Sequence, residues 1–295
     1  MADVMEVDRT ARGMVDANLG VPDRMEVDKT VREMVQAKLL GRIFANSLNG
    51  ELALKGGMAL RVSTDTARHT KDIDLMSPPG ADQVEGRIKT AIAELKASGL
   101  VSGMIATQPK RTDTTWRWKI GGRVGATVIN LTVEVSRRAP LPNGHVPAVP
   151  WAPPPQYGVP AMLIDCLDLP MLAASKVSCL ANPQREAPRD IFDLHLLVTM
   201  HVRPPIEALR AFGREHLEHT LASLWDKLEK MDYATAKTEL FPFLEPAMRT
   251  KINAGMWDEI RLTAGTAVES WILEALDRHG GATAAACAVA PSAAP

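Results

Sequence analysis

Asp72 and Asp74 stand one residue apart in Thr70-Lys71-Asp72-Ile73-Asp74-Leu75. In a strand, side chains two apart share a face, with Cα atoms roughly 6–7 Å apart. Ile73 and Leu75 then point the other way, into a core. Two carboxylates backed by apolar residues make a platform for a divalent cation; the competing reading is a charged strand end facing water. Upstream, Lys55-Gly56-Gly57-Met58-Ala59-Leu60 reads as a turn. Paired glycines let the backbone bend tightly and approach a ligand. A helix opening at Met58 aims its unpaired N–H groups and positive dipole end at that spot, where a phosphate would bind. Glycine turns between strand and helix are common without a ligand, so this one gains weight from the Asp-x-Asp that follows.

A third carboxylate is available in Val128–Val135. Ile129, Leu131, Val133 and Val135 alternate with Asn130, Thr132 and Glu134. If that strand lies beside Asp72 and Asp74, Glu134 joins them, and three carboxylates can hold two Mg²⁺ roughly 3.5–4 Å apart. Otherwise Glu134 is an exposed strand residue. Lys176 sits in the apolar run Met171–Leu180. It either snorkels to water or points into a cleft, where it would neutralise phosphate charge. Pro188-Arg189-Asp190-Ile191-Phe192-Asp193 opens a helix. Arg189 and Asp193 are spaced for a local i,i+4 pair; alternatively Asp193 orients Lys176 or sits over a nucleotide. The histidines form no constellation, and neither a Gly-x-Ser-x-Gly nor a nucleophile–base pair supports acyl transfer.

These residues need elements to hold them. Residues 51–55 read as a short buried strand, with a helix following the glycines. Val84–Ser98 is amphipathic through Val84, Ile88, Ile92 and Leu95. Thr114–Ile120 alternates, Gly121-Gly122 reads as a turn, and Ala126–Ser136 completes a hairpin. Pro140–Pro160 reads as a linker or covering loop. Helical spacing dominates afterwards, ending in Met256–His279. Met5–Val15 is echoed by Met25–Val35, a duplication too short for a solenoid. The layout is α+β: an N-terminal extension with a duplicated segment (1–35), a mixed-sheet domain (36–160), a helical domain (161–279) and a disordered tail (280–295).

Composition narrows the classes. The 295 residues include 34 Lys+Arg and 35 Asp+Glu, for a formal net charge of −1. A nucleic-acid partner would therefore need a local cationic patch. Arg61, Arg68, Lys71, Arg137, Arg138, Arg185 and Arg189 are the candidates. The three cysteines have neither zinc nor disulfide spacing, fitting a reducing cytoplasm. No apolar run reaches the ~18 residues of a membrane span, and the N-terminus does not read as a signal peptide.

The motifs Lys55–Leu60, Thr70–Leu75, Ala174-Ser175-Lys176 and Arg185…Pro188–Leu194 together resemble, in order, the AbiEii/AbiGii-type nucleotidyltransferase toxins, which include the mycobacterial MenT toxins. The resemblance implies a polymerase-β-like minimal nucleotidyltransferase domain followed by a mostly helical domain. It implies a toxin with a cognate antitoxin that transfers nucleotides from an NTP to the 3′ acceptor end of tRNA, using Mg²⁺ and blocking translation. Asp72, Lys176 and Asp193 become catalytic, and Asp72, Asp74 and Glu134 metal ligands. Lys55, Gly56, Gly57, Thr70 and Lys71 become nucleotide-binding. Related enzymes often carry Gly-Ser where this chain has Gly56-Gly57. The hydroxyl is missing there, leaving backbone N–H groups to serve, with Thr70 nearby.

Overall fold

The computed structural model describes residues 24–45, 50–64, 66, 68–182 and 187–286. The first copy of the duplication, Arg185 and residues 287–295 lie outside them. The chain divides into two compact units. One comprises the residues up to Asp168 with Phe243–Arg249; the other comprises Leu169–Pro242 and the residues from Thr250 onward.

In the first unit, α1 (Arg24–Ile43) precedes β1 (Ala53–Lys55), α2 (Gly56–Thr64), β2 (Asp72–Met76) and α3 (Gln83–Ala97). Three long strands follow, β3 (Ser102–Arg111), β4 (Thr115–Val124) and β5 (Thr127–Ser136), then the short pair β6 (Ala148–Trp151) and β7 (Met162–Asp165). The main sheet has the order β1-β2-β5-β4-β3. Only β2 and β5 run parallel; the other pairs are antiparallel. This mixed order puts the Asp-x-Asp strand inside the sheet, next to the central strand that carries Glu134.

Alternation explains the packing. Ile73 and Leu75 of β2, Ile129, Leu131, Val133 and Val135 of β5, and Trp116, Trp118 and Ile120 of β4 all face the core. Val84, Ile88, Ile92 and Leu95 of α3 are buried as their helical spacing requires. At roughly 25 cal/mol per Å², each fully buried side chain of this size contributes about 1.5–3 kcal/mol. The polar residues of the same strands share the opposite face. Val31, Met34 and Val35 of the second copy are buried, as are Ala37, Leu39, Leu40 and Ile43 after it in α1, so the second copy of the duplication belongs to a core helix.

Three details differ from the sequence expectation. Gly121 and Gly122 lie within β4, and the turn falls at Gly125-Ala126. The reason is crowding: a Cβ on Gly122 would come within 2.4 Å of Val101 Cγ1, so glycine permits the neighbouring backbone to approach. β3 is a strand that its sequence does not announce. The stretch read as a proline-rich linker contains β6, and β7 pairs with it antiparallel. Leu167 N donates to Leu54 O at 2.9 Å, so the chain stays with the first unit through Asp168.

The second unit is helical: α4 (Leu169–Leu180), α5 (Pro188–Thr199), α6 (Ile206–Arg210), α7 (Arg214–Lys230) and α8 (Tyr233–Glu239). α9 (Pro246–Lys251) begins in the Phe243–Arg249 segment of the first unit, and the long α10 (Ala254–Ala286) of the second unit continues past His279. Trp257 of α10 is fully buried and donates from Nε1 to Met231 O at 2.8 Å. No described helix is long and apolar enough to cross a membrane.

Candidate active site

The glycine turn joins β1 directly to α2, which opens at Gly56 itself. Gly56 has φ +68°, a conformation that glycine adopts without steric cost. Its Cα faces the Asp74 carboxylate, and a Cβ there would lie 2.5 Å from Asp74 Oδ2. Gly57 is equally enclosed. A Cβ on it would lie 2.6 Å from Arg68 Nη2 and 3.1 Å from Thr70 Oγ1. The hydroxyl absent from position 57 thus has a counterpart in Thr70, beside a guanidinium.

A buried polar cluster sets residues 68–70, which include Arg68 and Thr70. Arg68 is 3% exposed; its Nη1 donates to His69 O at 3.0 Å. Arg61 Nε donates to Glu33 Oε1 at 3.3 Å, and Glu33 also ion-pairs with His69. Burial works against the charge on Glu33, but contact with His69 and Arg61 prevails and holds its carboxyl below the usual range. From α1, Gln36 Nε2 donates to Thr70 O at 3.3 Å. Lys29 Nζ reaches Leu244 O at 2.6 Å, tying α1 to the returning segment.

Asp72 and Asp74 are half-buried on the polar face of β2. Parallel register sets Asp72 beside Thr132 and Asp74 beside Glu134. Lys55 lies opposite Asp74 on the other side, while Lys71 is exposed at the strand entrance. Glu134 is therefore on the acidic face, but its Oε2 accepts from Arg117 Nε at 2.7 Å. Among the described residues, no three carboxylates, imidazoles or thiols converge as a complete metal cage. Two carboxylates suffice for magnesium, which is commonly held by one or two carboxylates with substrate phosphates and water completing its octahedron. Asp72 and Asp74 fit that donor set.

Lys176, Asp190 and Asp193 meet within the helical unit. Lys176 Nζ lies 2.6 Å from Asp190 Oδ1 and 2.6 Å from Asp193 Oδ2. Lys176 is 7% exposed and Asp193 is fully buried, so the lysine does not snorkel. Asp193 holds Lys176, and Asp190 is a second partner that the sequence did not point to.

Several candidate nucleic-acid contacts are spoken for. Arg61 and Arg68 belong to the cluster behind the turn. Arg137 bonds Asp82 Oδ1 at 2.9 Å and stacks its guanidinium 3.9 Å from the Trp116 ring centroid. Lys71 and Arg138 are exposed. Sequence reasoning missed Arg68 as part of the turn; the one available signal was the hydroxyl lacking at position 57.

Comparison with known proteins gives the family and the fold. The family model of the nucleotidyl transferase AbiEii toxin, type IV TA system, matches residues 38–275. Comparison with curated proteins returned no match. Similar solved structures include JHP933 from Helicobacter pylori, at 16% identity and TM-score 0.53, covering 87% of this chain and 97% of that one. MenT4, the nucleotidyltransferase toxin Rv2826c from Mycobacterium tuberculosis H37Rv, matches at 16% identity and TM-score 0.53, covering 93% of this chain and 98% of that one. At such identity these structures speak to the fold alone, whereas the family model spans most of the sequence. The chain belongs to the AbiEii family of nucleotidyltransferase toxins of type IV toxin–antitoxin systems.

Proposed function

We propose that this toxin transfers nucleotides from an NTP to the 3′ acceptor end of tRNA, using Mg²⁺ held by Asp72 and Asp74 and releasing pyrophosphate. Translation stops because the modified acceptor cannot be charged. The observation that carries the reading is the packing of Gly56 against the Asp74 carboxylate. It brings the first N–H groups of α2 and a carboxylate pair to one place, as a metal-bound triphosphate requires.

Residue by residue, Gly56 and Gly57 admit the phosphates to the backbone N–H groups of α2. Thr70 supplies the hydroxyl absent at position 57, and Lys55 and Lys71 add positive charge. Magnesium, when bound, would neutralise triphosphate charge and polarise the α-phosphate. The terminal acceptor oxygen bonds to the α-phosphorus as the bond to the bridging oxygen breaks. Pyrophosphate leaves, and Asp72 accepts the hydroxyl proton. Glu134 holds Arg117 through Oε2, so Oε1 is the oxygen it would offer a metal. Lys176 and Asp193 carry the family's essential lysine and aspartate; their mutual ion pair fixes the lysine in place. A cognate antitoxin and a cytoplasmic setting complete the assignment.

Sequencing the 3′ ends of RNA after incubation with NTPs tests this. Added nucleotides on tRNA, lost with EDTA and restored by Mg²⁺, are expected. Label transferred to protein or to a small molecule while tRNA ends stay intact would refute the acceptor.

A further inference from the structure

The polar face of the main sheet continues beyond the acidic pair. Register aligns Asp72, Thr132, Lys119 and Thr107 in one row across β2, β5, β4 and β3. The next row holds Asp74, Glu134, Arg117 and Lys110. Arg123 lies further along β4, opposite Val128. Lys119 and Arg123 are exposed, and Lys119 pairs with no described residue. Glu134 is the acidic side chain that β3, β4 and β5 add to this face, and Arg117 already engages it.

Two large apolar side chains share this face without cover. Ile105 is 67% exposed and Val128 49% exposed. A shallow hollow of about 510 Å³ connects Ile105 to the acidic pair, lined by Lys71, Asp72, Ile105, Thr107, Lys119 and Thr132. Strands are spaced ~4.8 Å apart, so Lys119, two strands from Asp72, stands roughly 10 Å from it along the sheet.

We propose that this open face of β5, β4 and β3 is the docking platform for the acceptor, and that it takes a single-stranded RNA end. The inference rests on the nucleotidyl-transfer reading and names where its second substrate lies. Charge complementarity selects a polyanion in a chain whose net charge is −1. Lys119, Arg123 and Lys110 track phosphates, while Ile105 and Val128 offer surface to unstacked bases. A duplex hides its base faces, so exposed apolar side chains favour a single strand. The hollow leads the strand's terminal hydroxyl to Asp72.

The test uses the full-length protein and a Lys119→Glu/Arg123→Glu variant, with Lys96→Glu on exposed α3 as a charge-reversal control. Affinity for a fluorescent single-stranded oligoribonucleotide and KM for bulk tRNA are measured across a salt series, alongside KM for NTP. Removing two phosphate contacts should make the log–log salt dependence shallower by about 1.4 for a single strand. RNA affinity should fall at least tenfold with KM for NTP and melting temperature unchanged. An unchanged salt slope and RNA KM would overturn the platform. So would a variant that keeps RNA binding but escapes neutralisation by a co-expressed antitoxin, assigning the face to a protein partner. If wild type binds the oligonucleotide through these residues yet transfers nothing to RNA, the platform stands and the transfer reading fails.

Discussion

Replacing Gly56 with alanine separates the geometric role of the turn from its conformational one. Two penalties act together. Alanine at φ +68° costs about 1–2 kcal/mol of backbone strain. Its Cβ would also meet Asp74 Oδ2 at 2.5 Å, so the carboxylate must retreat by about 0.9 Å to reach ordinary contact at 3.4 Å. Displacement of a reacting group by about 1 Å costs on the order of 10²-fold in rate. Gly99 supplies the control: its φ is +69° and nothing lies within 4 Å of an added Cβ. Gly99→Ala should lose the same stability in urea denaturation and keep its activity. Gly56→Ala should lose that stability and about 100-fold in nucleotide transfer, measured with α-labelled NTP and tRNA at saturating Mg²⁺. Equal activity in the two variants would refute the coupling between the turn and Asp74.

Three further outcomes follow from the packing. Lys176→Ala leaves Asp190 and Asp193 buried and facing each other without their cation; a loss of about 3–5 kcal/mol is expected, and a urea midpoint unchanged from wild type would contradict the buried triad. Arg111 first, with Lys89 and Gln108 and against burial, pulls the Glu85 carboxyl from 4.5 down to about 2. A depressed carboxyl stabilises the fold above its unfolded value and loses that contribution as pH falls through the folded one. Arg111→Ala should therefore flatten the loss of stability between pH 4.5 and 2, and parallel pH curves would count against the pair. Burial and the Asp165 charge push the Cys166 thiol up to about 12, so iodoacetamide at neutral pH should leave it unmodified until the protein unfolds; rapid native alkylation at Cys166 would disprove its enclosure.

Strands with one buried face were legible because burial writes a period of two into the sequence. Ile73 and Leu75 revealed β2, and Ile129 through Val135 revealed β5, together with the polar positions of Asp72, Asp74 and Glu134. β3 was hidden because it is an edge strand with Met104 its one buried residue, leaving nothing to alternate against. Gly121-Gly122 was misread because crowding from Val101 is a long-range fact. The same holds for the partners of the candidate site. Cross-strand register sets Arg117 against Glu134, and residues 68–70 press Arg68 onto Gly57. Local spacing encodes neither. Lys176 and Asp193 were each singled out from the sequence, but their meeting, with Asp190 as a further partner, depends on how α4 packs against α5.

The proposed transfer of nucleotides to tRNA at the Asp72–Asp74 face has a direct test. Incubating wild type and Asp72→Ala with α-labelled NTP, Mg²⁺ and tRNA tests it most directly. Label on tRNA with wild type and none above background with Asp72→Ala is the expected result. Label that persists in the Asp72→Ala protein would contradict the site.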